Sequence, residues 1–365
     1  MIDSVASTSM ATNETIFLTG FPGFIAGRLI ARLAADGSRF LLLVQPAFIE
    51  RAHAEIARLS SQIGAGADRF RIVEGDITKD RLGMSVADYD VATEETTTIF
   101  HLAAIYDLGV ERDLAHRVNV EGTRNVNAFA RGVKNLRRYH YVSTCYVAGR
   151  REGVIGENEL RHTAGFRNHY EETKYLAEIE VDNLKSELPV TIHRPSVVCG
   201  DSLTGETAKY DGVYYLIKYL LMQPRLLSLA NIGNRDVQLN VVPIDFVVEA
   251  MAALARDERA AGATVQLADP SPLTTHELFE TIAQTLARRG SLLTVPPALV
   301  QKSLAFRVSE KLTGLPRVGA PYFFLRQTYD TARAQELLAP HGIACPPFSS
   351  YVGALVGFAE QHPTL

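Results

Sequence analysis

Residues 16–33, IFLTGFPGFIAGRLIARL, join two periodicities across one turn. Ile16, Phe17 and Leu18 predict a short buried strand, and Phe24, Ile25, Leu29, Ile30 and Leu33 then recur at helical spacing. Between them lie Gly20, Phe21, Pro22 and Gly23. Gly20 can take backbone angles closed to residues with a side chain, and Gly23 lets the chain come close to a ligand. The helix start that follows offers free N–H groups and about half a positive charge, which suits a pyrophosphate. With Ala26 in the third small-residue position, the pattern reads as a dinucleotide fingerprint.

The chain on either side repeats the alternation. Residues 40–44, 70–73, 98–102, 138–142 and 190–193 read as further buried strands, separated by helical patterns over 50–61, 114–132 and 170–188. This order predicts an α/β fold with a doubly wound parallel Rossmann sheet and its ligand at the carboxyl ends of the strands. Residues 237–242 and 264–268 return to strand-like composition, and nine prolines then break residues 270–347 into short pieces. The expected division is a disordered tail over 1–13 and a dinucleotide-binding domain over 14–196 and about 237–270. A smaller, mostly helical substrate domain takes about 197–236 and 271–365.

Composition narrows the partners. The 365 residues are 47% apolar and 21% charged with net charge −4 and no basic run, so nucleic acid is not expected. Cys145, Cys199 and Cys345 lack metal-ligand spacing, so neither a metal site nor a disulfide framework is predicted. Their small number fits a reducing cytoplasm. No run reaches the roughly 20 apolar residues of a membrane span. Residues 297–312 mix apolar and basic positions, and a pocket lid or core helix is preferred there over membrane contact.

The chemistry rests on a second spacing. Tyr170 and Lys174 stand four apart on a predicted helix and so share a face, and Thr144 follows the strand over 138–142. Lowering a tyrosine pKa from 10 by roughly 3 units takes about 4 kcal/mol. An ammonium about 4 Å away supplies a comparable amount at an effective dielectric of 20. Thr144 is placed to hydrogen-bond the same substrate oxygen, and Asn119 to link Lys174 to a water relay.

Taken in order, Thr19-Gly20-x-x-Gly23, Asp76, His101-Leu102-Ala103-Ala104, Asn119, Ser143-Thr144, Tyr170-x-x-x-Lys174 and Arg194-Pro195 resemble the extended short-chain dehydrogenase/reductases. Gly75-Asp76-Ile77-Thr78, residues 142–149, Gly200-Asp201-Ser202-x-Thr204-Gly205 and residues 242–245 are similar to the thioester-reductase and fatty-acyl reductase branch, which carries a male-sterility-type NAD-binding domain. The resemblance implies Thr144, Tyr170, Lys174 and Asn119 as catalytic residues. It implies cofactor contacts from residues 20–25, Arg28, Gln45, Asp76, Ile77, Leu102, Ala103, Ala104, Pro195, Ser196, Val197 and Val198. Tyr106, Cys145, Tyr146, Tyr210 and Tyr214 are candidates for the substrate wall beside Thr144. His101 is read as a packed imidazole.

The expected cofactor is NADPH, with NADH left open, because no acid ends the second strand and Arg28 and Arg51 lie near enough in sequence to meet a 2′-phosphate. The implied reaction is reduction of an acyl thioester, on coenzyme A or a separate acyl carrier protein, to aldehyde and then alcohol. Reduction of a free aldehyde, ketone or secondary alcohol uses the same residues, and a sugar-nucleotide epimerase or dehydratase shares the sheet. The assembly is expected to be a monomer or homodimer.

Overall fold

The computed structural model describes residues 14–364 except 65, 223–229, 289, 297 and 301–319. The expected tail and most of the 297–312 segment therefore lie outside the described residues. Seven strands form the central sheet: β1 (Thr15–Thr19), β2 (Arg39–Val44), β3 (Phe70–Glu74), β4 (Thr98–His101), β5 (Arg138–Val142), β6 (Val190–Pro195) and β7 (Thr264–Leu267). Their order is β7-β6-β5-β4-β1-β2-β3, and each neighbouring pair is parallel. The order reverses between β1 and β4, so the crevice for a ligand opens there, beside the glycine turn.

Both faces of the sheet are covered, which is why its strands are near-continuous apolar runs. On one face α1 (Phe24–Ala34), α2 (Ile49–Ile63) and the helix Ile244–Arg256 pack around Leu18, Leu29, Leu42, Phe100 and Met251. On the other, α3 (Val86–Glu95), α4 (Gly122–Gly132) and α5 (His169–Asp182) enclose Phe17, Phe129, Tyr139 and Ile192. At about 25 cal/mol per Å² of buried apolar surface, these two layers are the main stabilising term.

A smaller unit sits beyond the carboxyl ends. Helices Tyr214–Met222, Thr275–Thr285 and Phe348–Gln361 share an apolar core with Val197 and Cys199. Two short parallel pairs bind it to the sheet layer: Val197–Cys199 with Val241–Pro243, and Gly153–Ile155 with Gln327–Tyr329. The helix Ala332–Leu338, expected with this unit, instead places Ala334, Leu337 and Leu338 in the core beneath the sheet.

Candidate active site

The turn after β1 has the predicted geometry. Gly20 has φ +93°, and a Cβ there would stand 2.8 Å from the Ala103 backbone nitrogen, so β1 and the end of β4 can approach only through glycine. Gly23 caps α1, and no side chain satisfies its first N–H groups. The turn opens into a cleft of about 750 Å³.

Residues 20–25, Gln45, Ile77, residues 102–104 and residues 195–198 all line this cleft, as do Tyr106, Thr144, Tyr146, Tyr170 and Lys174. Six expected residues do not, Asn119 among them. Arg28 turns away, its guanidinium held by Asp201 at 3.2 Å and Glu206 at 2.5 Å. Asp76 accepts from the backbone and hydroxyl of Thr78, each at 2.9 Å, while its neighbours Gly75 and Ile77 reach the cleft. Cys145 is buried, with its thiol donating to the Arg194 carbonyl and pushed up by desolvation. Tyr210 donates to the His362 carbonyl, and the Tyr214 hydroxyl accepts from the Gly200 amide. Tyrosines at helical spacing here serve packing and turns.

Other lining residues come from segments whose meeting a linear pattern does not announce. Phe48 and Arg51 flank Gln45, and Arg51 has no ion-pair partner among the described residues. Thr207, Lys209 and Asp211 close the far end. There Asp211 hydrogen-bonds Tyr106, and the Lys209 ammonium lies 5.0 Å from the Tyr106 ring. Tyr106 meets the ring of Tyr170 edge-on, with centroids 5.2 Å apart.

The reacting groups converge at the middle. Asn168 caps α5 through Glu171 N at 2.9 Å, so Tyr170 lies in the first turn. The Thr144 hydroxyl accepts from Tyr146 N at 3.2 Å and also hydrogen-bonds Tyr170, which brings the two hydroxyls together in the cleft. Burial raises the Tyr170 phenol, and the Thr144 contact works against that rise. The phenol is therefore protonated at neutral pH, the state that a proton donor requires.

Lys174 departs from expectation in the direction it points. Its ammonium donates to the Tyr141 hydroxyl at 2.9 Å and the Val142 carbonyl at 2.8 Å. Desolvation pulls it down to about 7, opposed by the charge of Glu178. Asn119 likewise serves another partner: it accepts from Ile105 N at 2.8 Å and donates to Thr173 at 3.0 Å. It lies in a π-helical stretch, His116–Glu121, a distortion that helical periodicity does not reveal. His101 is fully buried between Thr19 at 2.7 Å and Thr123 at 3.1 Å, and burial followed by the Lys174 charge drives it to about 3. It is a neutral, packed imidazole.

The cleft fits a nicotinamide dinucleotide. The uncapped start of α1 suits the pyrophosphate, and Gln45, Phe48, Gly75 and Ile77 form the end where an adenosine would lie. At the other end Ser196 Oγ is buried without a hydrogen-bond partner in the protein, an unused group suited to the nicotinamide amide. Among the described residues there is no cluster of three or more His, Cys, Asp or Glu that could hold a metal, and no helix long and apolar enough to cross a membrane.

A parallel sheet with this turn, and with Thr144, Tyr170 and Lys174 at its carboxyl ends, defines a nicotinamide-dependent oxidoreductase of the extended short-chain type. The chain belongs to the male sterility protein family of NAD-binding domains, whose model matches residues 18–251. The fatty acyl-CoA reductase wat of Drosophila melanogaster is 25% identical over 284 residues, spanning 67% of this chain and 54% of that protein. The chain thus covers about half of that relative's length. Among solved structures, the terminal R domain of the myxalamid PKS-NRPS pathway matches with TM-score 0.79 at 24% identity, over 96% of this chain and 92% of that one. A thiolation-reductase di-domain from an archaeal non-ribosomal peptide synthetase matches with TM-score 0.74 at 17% identity, over 96% and 76%.

Proposed function

We propose that the protein reduces an acyl thioester to an aldehyde, and on to an alcohol in a second reduction, with NADPH as the reductant. The observation that carries this is the cleft itself. It runs from the glycine turn past Tyr170 and Thr144 and continues to Tyr106, Lys209 and Asp211, leaving room beyond the cofactor for a second molecule. The name of the fly relative, an acyl-CoA reductase, and the pairing of a reductase with a thiolation unit in the archaeal structure support a thioester on coenzyme A or on a separate carrier protein.

Bound nicotinamide supplies the hydride that adds to the thioester carbonyl carbon. Tyr170 and Thr144 hydrogen-bond the carbonyl oxygen, where negative charge develops, and Tyr170 gives it a proton. The tetrahedral hemithioacetal then returns that proton to Tyr170, its carbon–sulfur bond breaks, and thiolate and aldehyde leave. Burial of Lys174 under β5 keeps a titrating cation next to this exchange.

The preference for NADPH rests on Arg51, an exposed guanidinium at the adenosine end of the cleft with no carboxylate to compete for it. The test is oxidation of NADPH and NADH with acyl-CoA thioesters and the matching free aldehydes, with thiol release followed by a colorimetric reagent. Thiol released in step with NADPH oxidation supports the proposal. Turnover of aldehydes alone would replace it with a carbonyl reductase.

A further inference from the structure

Beneath the reacting groups lies a carboxylate that neither the cleft nor the proposed chemistry uses. Glu178 is fully buried on α5, four residues beyond Lys174 and eight beyond Tyr170. Its Oε1 accepts from Arg194 Nε at 2.8 Å and Nη2 at 2.5 Å. Its Oε2 accepts from the hydroxyl of Ser143, the residue before Thr144. Arg194 in turn stands at the end of β6, directly before the 195–198 lining of the cleft.

We infer that Glu178 is the positioning residue of this site, holding the Thr144 loop, the Tyr170–Lys174 helix and the 195–198 segment in register. The inference rests on the catalytic reading of Thr144, Tyr170 and Lys174 given above.

A simple structural ion pair would account for Oε1 and Arg194 but leaves Oε2 unexplained. The second oxygen is spent on Ser143, and the Ser143 amide is also fixed, donating to the His193 carbonyl at 2.7 Å. Thr144 therefore follows a residue pinned from both its backbone and its side chain. One carboxylate touches all three segments that must meet around a carbonyl group. Its placement one turn from Lys174 also gives the ammonium a nearby negative charge. The other groups facing Lys174 are His101 from β4, Tyr141 from β5 and Tyr170 from α5, with His101 neutral and the Tyr141 and Tyr170 phenols raised by burial. None of these competes with Glu178 as an anion at neutral pH.

The experiment uses two variants of the whole chain. Glu178→Gln keeps the shape and an acceptor for Ser143 but removes the charge, and Ser143→Ala keeps the buried ion pair but frees the loop. The Lys174 titration is followed by side-chain carbon-13 NMR, which does not require turnover, and kcat and KM are measured with NADPH and an acyl-CoA. The expected results are a Lys174 midpoint lowered by about one pH unit in Glu178→Gln, and a kcat about tenfold lower with KM within about twofold in Ser143→Ala. Should Glu178→Gln not fold, the double variant Glu178→Gln/Arg194→Gln removes both buried charges and carries the same titration. A midpoint and a kcat both unmoved would overturn the inference. A shifted midpoint in an enzyme that turns over neither thioester nor aldehyde would overturn the proposed function while leaving the role of Glu178 standing.

Discussion

Arg28 and Asp201 are joined by an ion pair at 3.2 Å across 173 positions of sequence, tying α1 to the loop that roofs the cleft. The pair consumes the basic residue that follows the fingerprint, so discrimination between the two nicotinamide cofactors must come from elsewhere. Arg51→Ala should weaken NADPH about tenfold or more while NADH changes little, as expected for loss of a charge-assisted phosphate contact. Arg28→Ala should shift both cofactors together. Fluorescence titration of each cofactor checks this, and a selective loss of NADPH in Arg28→Ala would reverse the assignment.

Tyr170→Phe should retain cofactor affinity within about twofold and lose about a hundredfold or more in kcat, because the phenolic proton is removed with almost no change of shape. Thr144→Val should lose less, as Tyr170 remains. Near-normal turnover by Tyr170→Phe would remove Tyr170 from the chemistry.

The lysine gives a pH dependence of definite sign. Lys174 is held down to about 7 from its ordinary 10.5. Between those values the unfolded chain binds a proton that the folded protein has shed, so this group makes stability rise with pH across that window and contributes least below 7. Urea midpoints of the wild type should therefore gain on those of Lys174→Met as pH increases from about 7 toward 10. The reductive kcat/KM should fall as the ammonium is lost, with an inflection near 7 that disappears in the variant.

Gly20→Ala should be among the most damaging single changes in the fold. Its φ of +93° and the 2.8 Å approach of a new Cβ to Ala103 N leave no flexible neighbour to yield. A loss of about 1–3 kcal/mol of stability is expected from the backbone conformation alone. Cofactor binding should be lost with it. Thermal melting with and without NADPH measures both.

What could be read from the chain divides along a physical line. The sheet was legible because its strands, covered on both faces, are apolar runs such as FLLL at 40–43, and because a glycine turn has a composition of its own. The gathering of Gly20, Ala103, Thr144, Tyr170 and Pro195 at one cleft followed from the same topology. Partnerships were not legible. Whether Arg28 faces a phosphate or Asp201 depends on where a loop 173 residues away comes to rest. Asn119 meets Thr173 and not Lys174, and it does so from a π-helical turn that periodicity averages away. Thr207 and Asp211 entered the site through the roofing loop, where no repeating pattern marks them.

The helix Ala332–Leu338 lies under the sheet although its neighbours on both sides in sequence belong with the smaller unit, and the buried Glu157 carboxylate accepts from the backbone nitrogens of Gln266, Arg333 and Ala334. A segment far along the chain from the glycine turn thereby helps to fill the apolar layer that α1 and the helix Ile244–Arg256 share. Distance along the sequence from Gly20 is therefore no guide to which residues hold its turn in place, because the layer behind α1 is filled in part from this helix.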